Sequence, residues 1–82
     1  MKVNVRYFAS IREALGAGES LDTQAATLAA LRDELIARGG AHAEVLARGR
    51  AVRMALGQVM SEESAALGEG AEVAFFPPVT GG

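Results

Sequence analysis

One segment of this chain carries a sustained helical stripe, and that limits the folds open to it. Leu28, Leu31, Leu35 and Ile36 fall three, seven and eight residues from the first, on one helix face that Thr27 can cap. That face must be buried against something, and the chain's two ends supply it. Val3, Val5 and Tyr7 alternate with Lys2, Asn4 and Arg6, and Val73 and Phe75 alternate with Glu72, Ala74 and Phe76. Both are period-two patterns of strands with one packed face. One helix across a mixed sheet satisfies the stripe and the alternation together.

The remaining segments fill in this frame. Ser10-Ile11-Arg12-Glu13 has the form of a capping box and predicts a short helix to about Leu15, stopped by Gly16 and Gly18. Glu19 to Thr23 is read as a second strand. On the main helix Arg32, Asp33, Glu34 and Arg38 mark the solvent side, with Glu34 and Arg38 spaced for an i,i+4 pair, and Gly39-Gly40 ends it. Residues 41–50 are read as loop. Val52, Met54 and Leu56 form a third strand, Gly57-Gln58 a tight turn, and Val59-Met60 a short return strand. Leu67 is expected to tuck inward before Gly68-Glu69-Gly70 turns into the last strand, which Pro77-Pro78 ends because neither can donate to a ladder. The expected class is α+β: a mixed sheet of about five strands, one main helix and one short helix, in a domain over residues 1–76 with an extended tail over 77–82.

Composition excludes more than it assigns. With 82 residues there is room for one core, and with no cysteine that core has no disulfide or thiolate metal site behind it and the chain has no thiol nucleophile. Eight basic and ten acidic side chains are scattered without a basic run, which argues against nucleic acid as a partner. No apolar stretch approaches the roughly 20 residues that span a bilayer. The opening segment alternates where a signal peptide is continuously apolar, so no membrane is expected and the chain is read as cytoplasmic. His42 stands without cysteine or an acidic cluster beside it, and is read as an exposed loop residue. Glu62 and Glu63 are read as solvated, and Arg12, Arg48, Arg50 and Arg53 as a solvated surface. No bound cofactor, metal site or internal active site is expected.

What remains is the ending, Pro77-Pro78-Val79-Thr80-Gly81-Gly82. Two prolines stiffen the departure from the domain, and the four residues Val79 to Gly82 reach roughly 13 Å if extended. Glycine lacks Cβ, so a Gly-Gly end passes a channel too narrow for other pairs and leaves its carboxylate sterically open. Read as the true terminus, Gly82 can be activated as an acyl-adenylate and attacked by a sulfur nucleophile, giving a C-terminal thiocarboxylate.

The segment Glu72-Val-Ala-Phe-Phe-Pro-Pro-Val-Thr-Gly-Gly82 resembles the ending of the molybdopterin synthase small subunit, the MoaD family, and Val5-Arg-Tyr-Phe-Ala-Ser-Ile-Arg-Glu-Ala-Leu-Gly16 is similar to that family's first strand and helix. The likeness spans nearly the whole chain. It implies a ubiquitin-like β-grasp fold, a synthase large subunit as partner in a heterotetramer, an E1-like adenylating enzyme that uses ATP to charge Gly82, and a sulfur-transfer enzyme. It also implies a substrate, cyclic pyranopterin monophosphate, which receives sulfur from the thiocarboxylate. Gly57 departs from the Asn often found in that turn, a swap that keeps tolerance of positive φ.

Because Phe75 and Phe76 are adjacent, one of them must leave the core. Phe8, Met60 and Phe75 match family positions that meet the large subunit and are the expected apolar patch, with Pro77, Pro78, Val79, Thr80 and Gly81 as the partner-binding tail. Three other readings compete: a carrier for thiamine thiazole, against which the FFPPVTGG ending speaks; a ubiquitin-type modifier joined through Gly82 to lysine; and a binding module with an inert tail.

Overall fold

A computed structural model describes residues 1–78, and within them five strands and three helices alternate. In chain order these are β1 (Lys2–Tyr7), α1 (Ala9–Leu15), β2 (Gly18–Asp22), α2 (Leu28–Ile36), α3 (Gly40–Val45), β3 (Arg53–Leu56), β4 (Val59–Ser61) and β5 (Glu72–Phe76). The sheet runs in the order β2-β1-β5-β3-β4. The central pair, β1 and β5, is parallel and the other three pairings are antiparallel. With α2 packed across one face, this is the ubiquitin-like β-grasp arrangement.

The alternation in β1 becomes burial directly: Val3, Val5 and Tyr7 are at most 1% exposed, while Lys2, Asn4 and Arg6 are solvated. Against them pack Val73, Phe75 and Met54 from the sheet, Leu28, Leu31 and Leu35 from α2, Ile11 from α1 and Leu46. Leu67 packs against this core from its edge. Thr27 caps α2 through its hydroxyl, which accepts from Ala30 N at 3.2 Å. Leu28 N and Ala29 N donate to the carbonyls of Ala65 and Glu63, so the free donors of the helix start are met by the chain that leads to β5.

Two glycines are needed for close geometry. At Gly18 a Cβ would lie 2.2 Å from the Val5 carbonyl oxygen, so only glycine lets β2 approach β1 there. Gly57 and Gln58 both have positive φ, 57° and 69°, as a two-residue hairpin of the primed type requires, and β3 and β4 pair Leu56 with Val59 across it.

Several expectations are corrected. The capping box does not form: α1 starts at Ala9, so Ser10 lies inside it, and Phe8 is the cap residue without a side-chain bond. The cause is the sheet, because Phe8 N donates to Phe75 O at 3.1 Å and extends the ladder past β1. The chain then turns sharply at Ala9, whose φ is 51°. The second strand begins at Gly18 and ends at Asp22, one residue earlier at each end. Residues 41–50 are not all loop, since most of α3 lies among them. Glu34 does not pair with Arg38 but accepts from the Thr23 hydroxyl at 2.8 Å, while Arg38 binds Glu19 at 2.8 Å.

Arg32 departs furthest from its expected solvent position. It is 3% exposed and donates from Nε to Leu46 O at 2.8 Å and from Nη2 to Ala47 O at 2.7 Å and Arg50 O at 3.0 Å. The guanidinium thus supplies donors to three carbonyls that α3 and the turn after it leave without helical partners. Burial holds its pKa below the usual arginine value, and the Glu63 carboxylate 3.8 Å away opposes that shift.

A second polar cluster closes the side of the core. Tyr7 OH donates to Glu19 Oε2 at 3.4 Å, and His42 on α3 packs edge-on to the Tyr7 ring with centroids 6.3 Å apart. His42 is therefore half-buried on a helix and not an exposed loop residue. Arg38 holds the Glu19 carboxyl below the usual range, through its hydrogen bond first. Burial, with the Glu19 charge behind it, pushes Tyr7 up to about 12.

Two predictions follow from these contacts. Arg32→Met should lower stability by about 2–4 kcal/mol, because it strands carbonyls away from water, whereas a solvated arginine would cost within about 0.5 kcal/mol. The urea midpoint should fall with an unchanged slope. Tyr7 is the only tyrosine and the chain has no tryptophan, so tyrosinate absorbance reports it alone. In the folded protein it should titrate near 12, against 10.0 for the ordinary group. The folded state keeps this proton more tightly, so the contribution to stability is complete below the ordinary value and is lost as pH rises towards the folded one. Titration of the native protein at the ordinary value would show the phenol to be solvated.

Candidate functional site

β5 lies between β1 and β3, hydrogen-bonded on both sides, so whatever follows Phe76 leaves from the most constrained strand of the sheet. Pro77 and Pro78 follow, half-buried, and line a groove of about 350 Å³ with Ser10 and Ile11 of α1, Val45 of α3 and Arg50, Ala51 and Val52 of the segment before β3. The proline pair is thus seated between helices and sheet. Val79, Thr80, Gly81 and Gly82, the partner-binding and reactive positions of the expected tail, lie outside the described residues.

The face of the sheet turned away from the helices is apolar at the end where the tail departs. Phe8 is 40% exposed, and its ring meets that of Phe76 edge-on with centroids 6.3 Å apart. Ala74 of β5 lies opposite Ala55 of β3, and Ala55 lies opposite Met60 of β4, which is 52% exposed. Directly paired residues share a face, so two alanines form a shallow floor between the phenylalanine pair and Met60. Arg53, opposite Phe76, stands at the rim. At the other end of the face the surface is polar: Arg6 pairs with Glu72 at 3.5 Å, and the Ser20 hydroxyl bonds Asn4.

Of the expected patch, Phe8 and Met60 are exposed on this face, and Phe75 is not. Phe75 is fully buried, stacked near Tyr7 with centroids 6.2 Å apart. The parallel register sets this, since Phe75 sits opposite Tyr7 and takes its inward orientation. Phe76 is the aromatic that reaches the outer face. The signal was present in the sequence, because Phe75 shares its parity with Val73 and Phe76 with Glu72.

No constellation for catalysis emerges among the described residues. No group of three His, Cys, Asp or Glu side chains could hold a metal ion there. The shifted groups are all accounted for by burial or ion pairing. Glu63, expected to be solvated, receives Arg48, which also donates to Asp33 at 2.9 Å and Ala29 O at 3.0 Å, and these contacts raise the Arg48 pKa. A concavity of about 540 Å³ along β1 and β2 is lined in part by polar groups paired to one another, Arg6 with Glu72 and Ser20 with Asn4. No helix of the described residues is long and apolar enough to cross a membrane. What the geometry offers is a docking face with a tail root beside it.

Comparison with known proteins agrees with this layout. The model of the ThiS family matches residues 5–82. The molybdopterin synthase sulfur carrier subunit of Haemophilus influenzae is 38% identical over 81 residues, covering 98% of this chain and 99% of that protein. The protein of the same description from Escherichia coli is 36% identical over the same shares. Among solved structures, the complex of subunits 1 and 2 of the molybdopterin-converting factor from Helicobacter pylori contains a chain that superposes with a TM-score of 0.69 at 28% identity, with all of both chains covered. The chain belongs to the ThiS family and, within it, stands with the molybdopterin synthase sulfur carrier subunits.

Proposed function

We propose that this protein carries sulfur as a thiocarboxylate on Gly82 and donates it to cyclic pyranopterin monophosphate during molybdopterin synthesis. The observation that carries the reading is the placement of the tail root beside the exposed Phe8–Phe76 pair at one end of the outer sheet face. A partner that covers this face receives the tail at its own edge. The two relatives named as molybdopterin synthase sulfur carrier subunits, and the Helicobacter complex with a second subunit, support a synthase large subunit in that role.

The chemistry divides between this chain and its partners. In an E1-like enzyme the Gly82 carboxylate attacks the α-phosphate of ATP, forming the acyl-adenylate and releasing pyrophosphate. A persulfide presented by a sulfur-transfer enzyme then attacks the acyl carbon and AMP leaves; a thiol of that enzyme attacks the resulting acyl disulfide at the donor sulfur, so that the thiol is oxidised to a disulfide and the thiocarboxylate is released. In the synthase, a heterotetramer of two small and two large subunits, the thiocarboxylate sulfur bonds to a pterin carbon, water then attacks the Gly82 carbonyl carbon, and the C–S bond breaks, leaving the sulfur on the pterin and Gly82 as a carboxylate. The acid and base groups belong to the large subunit. This domain supplies a reactant on a stiff arm and a surface that fixes where the arm points. Every step is cytoplasmic in this reading.

Co-expression with the host's charging and sulfur-transfer enzymes, followed by thiol alkylation and peptide mapping, should place one adduct on Gly82. The absence of cysteine leaves no competing thiol. No adduct under active charging would overturn the carrier reading. For the docking face, Phe76→Ala should weaken binding to the large subunit by roughly 30-fold or more, as loss of a central aromatic anchor does, with a nearly unchanged Tm. Phe75→Ala should do the reverse, costing about 3–5 kcal/mol of fold stability. Equal binding by Phe76→Ala and the parent chain would remove this face from the interface.

A further inference from the structure

Of the eight basic side chains only Lys2 is lysine; the rest are arginine. Their positions are not mixed. Lys2 and the Met1 amine lie at the start of β1, which runs parallel to β5, so they stand at the pole of the sheet opposite the tail root. The six residue-to-residue steps of extended chain from Lys2 to Phe8 span about 20 Å. At the tail pole the cations are Arg50, which lines the groove with Pro77 and Pro78; Arg53, opposite Phe76; and Arg12, whose backbone N–H donates to Phe8 O at 3.2 Å.

Arginine is explained elsewhere in the fold by what its fork can bind. Arg32 satisfies three carbonyls, Arg48 joins Asp33, Glu63 and Ala29 O, Arg38 grips Glu19, and Arg6 pairs with Glu72. The side chains of Arg12, Arg50 and Arg53 make no hydrogen bond or ion pair among the described residues. Lysine would solvate those positions as well. The two residues differ sharply in one respect: at slightly alkaline pH the free-base fraction of a lysine amine exceeds that of a guanidinium by about three orders of magnitude. Only the amine is a competent acyl acceptor.

We infer that arginine at positions 50 and 53 is a specificity device that keeps the tail pole free of amines, so that an activated Gly82 passes to an external sulfur nucleophile and not to its own domain. The device rests on the reading of Gly82 as an acyl donor. The reaction avoided is simple: an amine nitrogen attacks the activated carbonyl carbon, an amide C–N bond forms, AMP or a thiolate leaves, and the amine proton passes to solvent. Thiols are excluded from the chain altogether. The remaining amines stand at the start of β1, about 20 Å from the end at which β5 gives way to Pro77, and four extended residues reach roughly 13 Å, which is short of that span. Lys2 and the Met1 amine are then acceptors only for the tail of another copy.

The full chain prepared with a mercaptoethanesulfonate thioester on Gly82 tests this without any charging enzyme. At slightly alkaline pH the parent chain should lose the thiol by hydrolysis and by a concentration-dependent dimerisation through Lys2 or Met1. Arg53→Lys and Arg50→Lys should each form an intrachain amide from Gly82 to the new lysine, mapped by mass spectrometry and independent of concentration. A tethered amine has an effective concentration in the millimolar range, so at about 10 μM protein the rate should exceed dimerisation on the order of 100-fold. Two outcomes would overturn the inference: variants that self-acylate no faster than the parent, or a parent chain that already cyclises through Lys2 or Met1. Because the thioester is installed chemically, these results stand apart from the alkylation experiment, whose failure would sink the carrier reading alone.

Discussion

The parallel pairing of β1 with β5 is the constraint on which the rest of this structure depends. It joins the two ends of the chain at the centre of the sheet, and its register, Tyr7 opposite Phe75, decides which side chains are core and which are surface. A shift of one residue would turn Phe75 outward and bury Phe76, exchanging the two faces of the central strand. The same register extends the ladder to Phe8, which sets the start of α1 and brings the Phe8 ring to that of Phe76. Core, docking face and direction of the tail thus come from one set of hydrogen bonds.

The strands and the main helix were legible because burial there follows local periodicity. β1, β5 and the stripe of α2 read correctly from three or four side chains each, and the hairpin at Gly57-Gln58 from its turn chemistry. What failed did so where partners are distant in sequence. Arg32 has the composition of a surface position, and nothing within a helical turn of it shows that carbonyls 14 to 18 residues away will close over it. The capping box at Ser10 was locally sound but lost to the sheet, whose bond from Phe8 to Phe75 fixed the helix start two residues earlier. α3 has six residues and no buried side chain of its own, so no periodicity could mark it.

The candidate site divides along the same line. Phe8 was recognisable as an apolar residue on the polar side of a strand, and Met60 was named only through its match to a family position. Phe75 was expected in the exposed patch although its parity with Val73 placed it inward, and it is fully buried. The alanine floor between Phe76 and Met60 was invisible beforehand, because it requires the register of three strands at once.

A carrier of this kind faces two demands that a single compact domain meets by separating them in space. Under the proposed function the end of the chain must be reactive and thin enough to enter an enzyme, while the domain must be stable and inert towards that end. Arg32 and the Tyr7–Glu19–Arg38 cluster lie on the helix side, and the Arg6–Glu72 pair stands at the far end of the outer face, so these ionic contacts are away from its apolar end. The face itself then needs only apolar side chains, which bind by exclusion of water and take no part in acyl chemistry. A partner can cover that face and draw in the tail without disturbing a structural ion pair. Stability and docking are therefore open to separate change, the first through Arg32 and the second through Phe76.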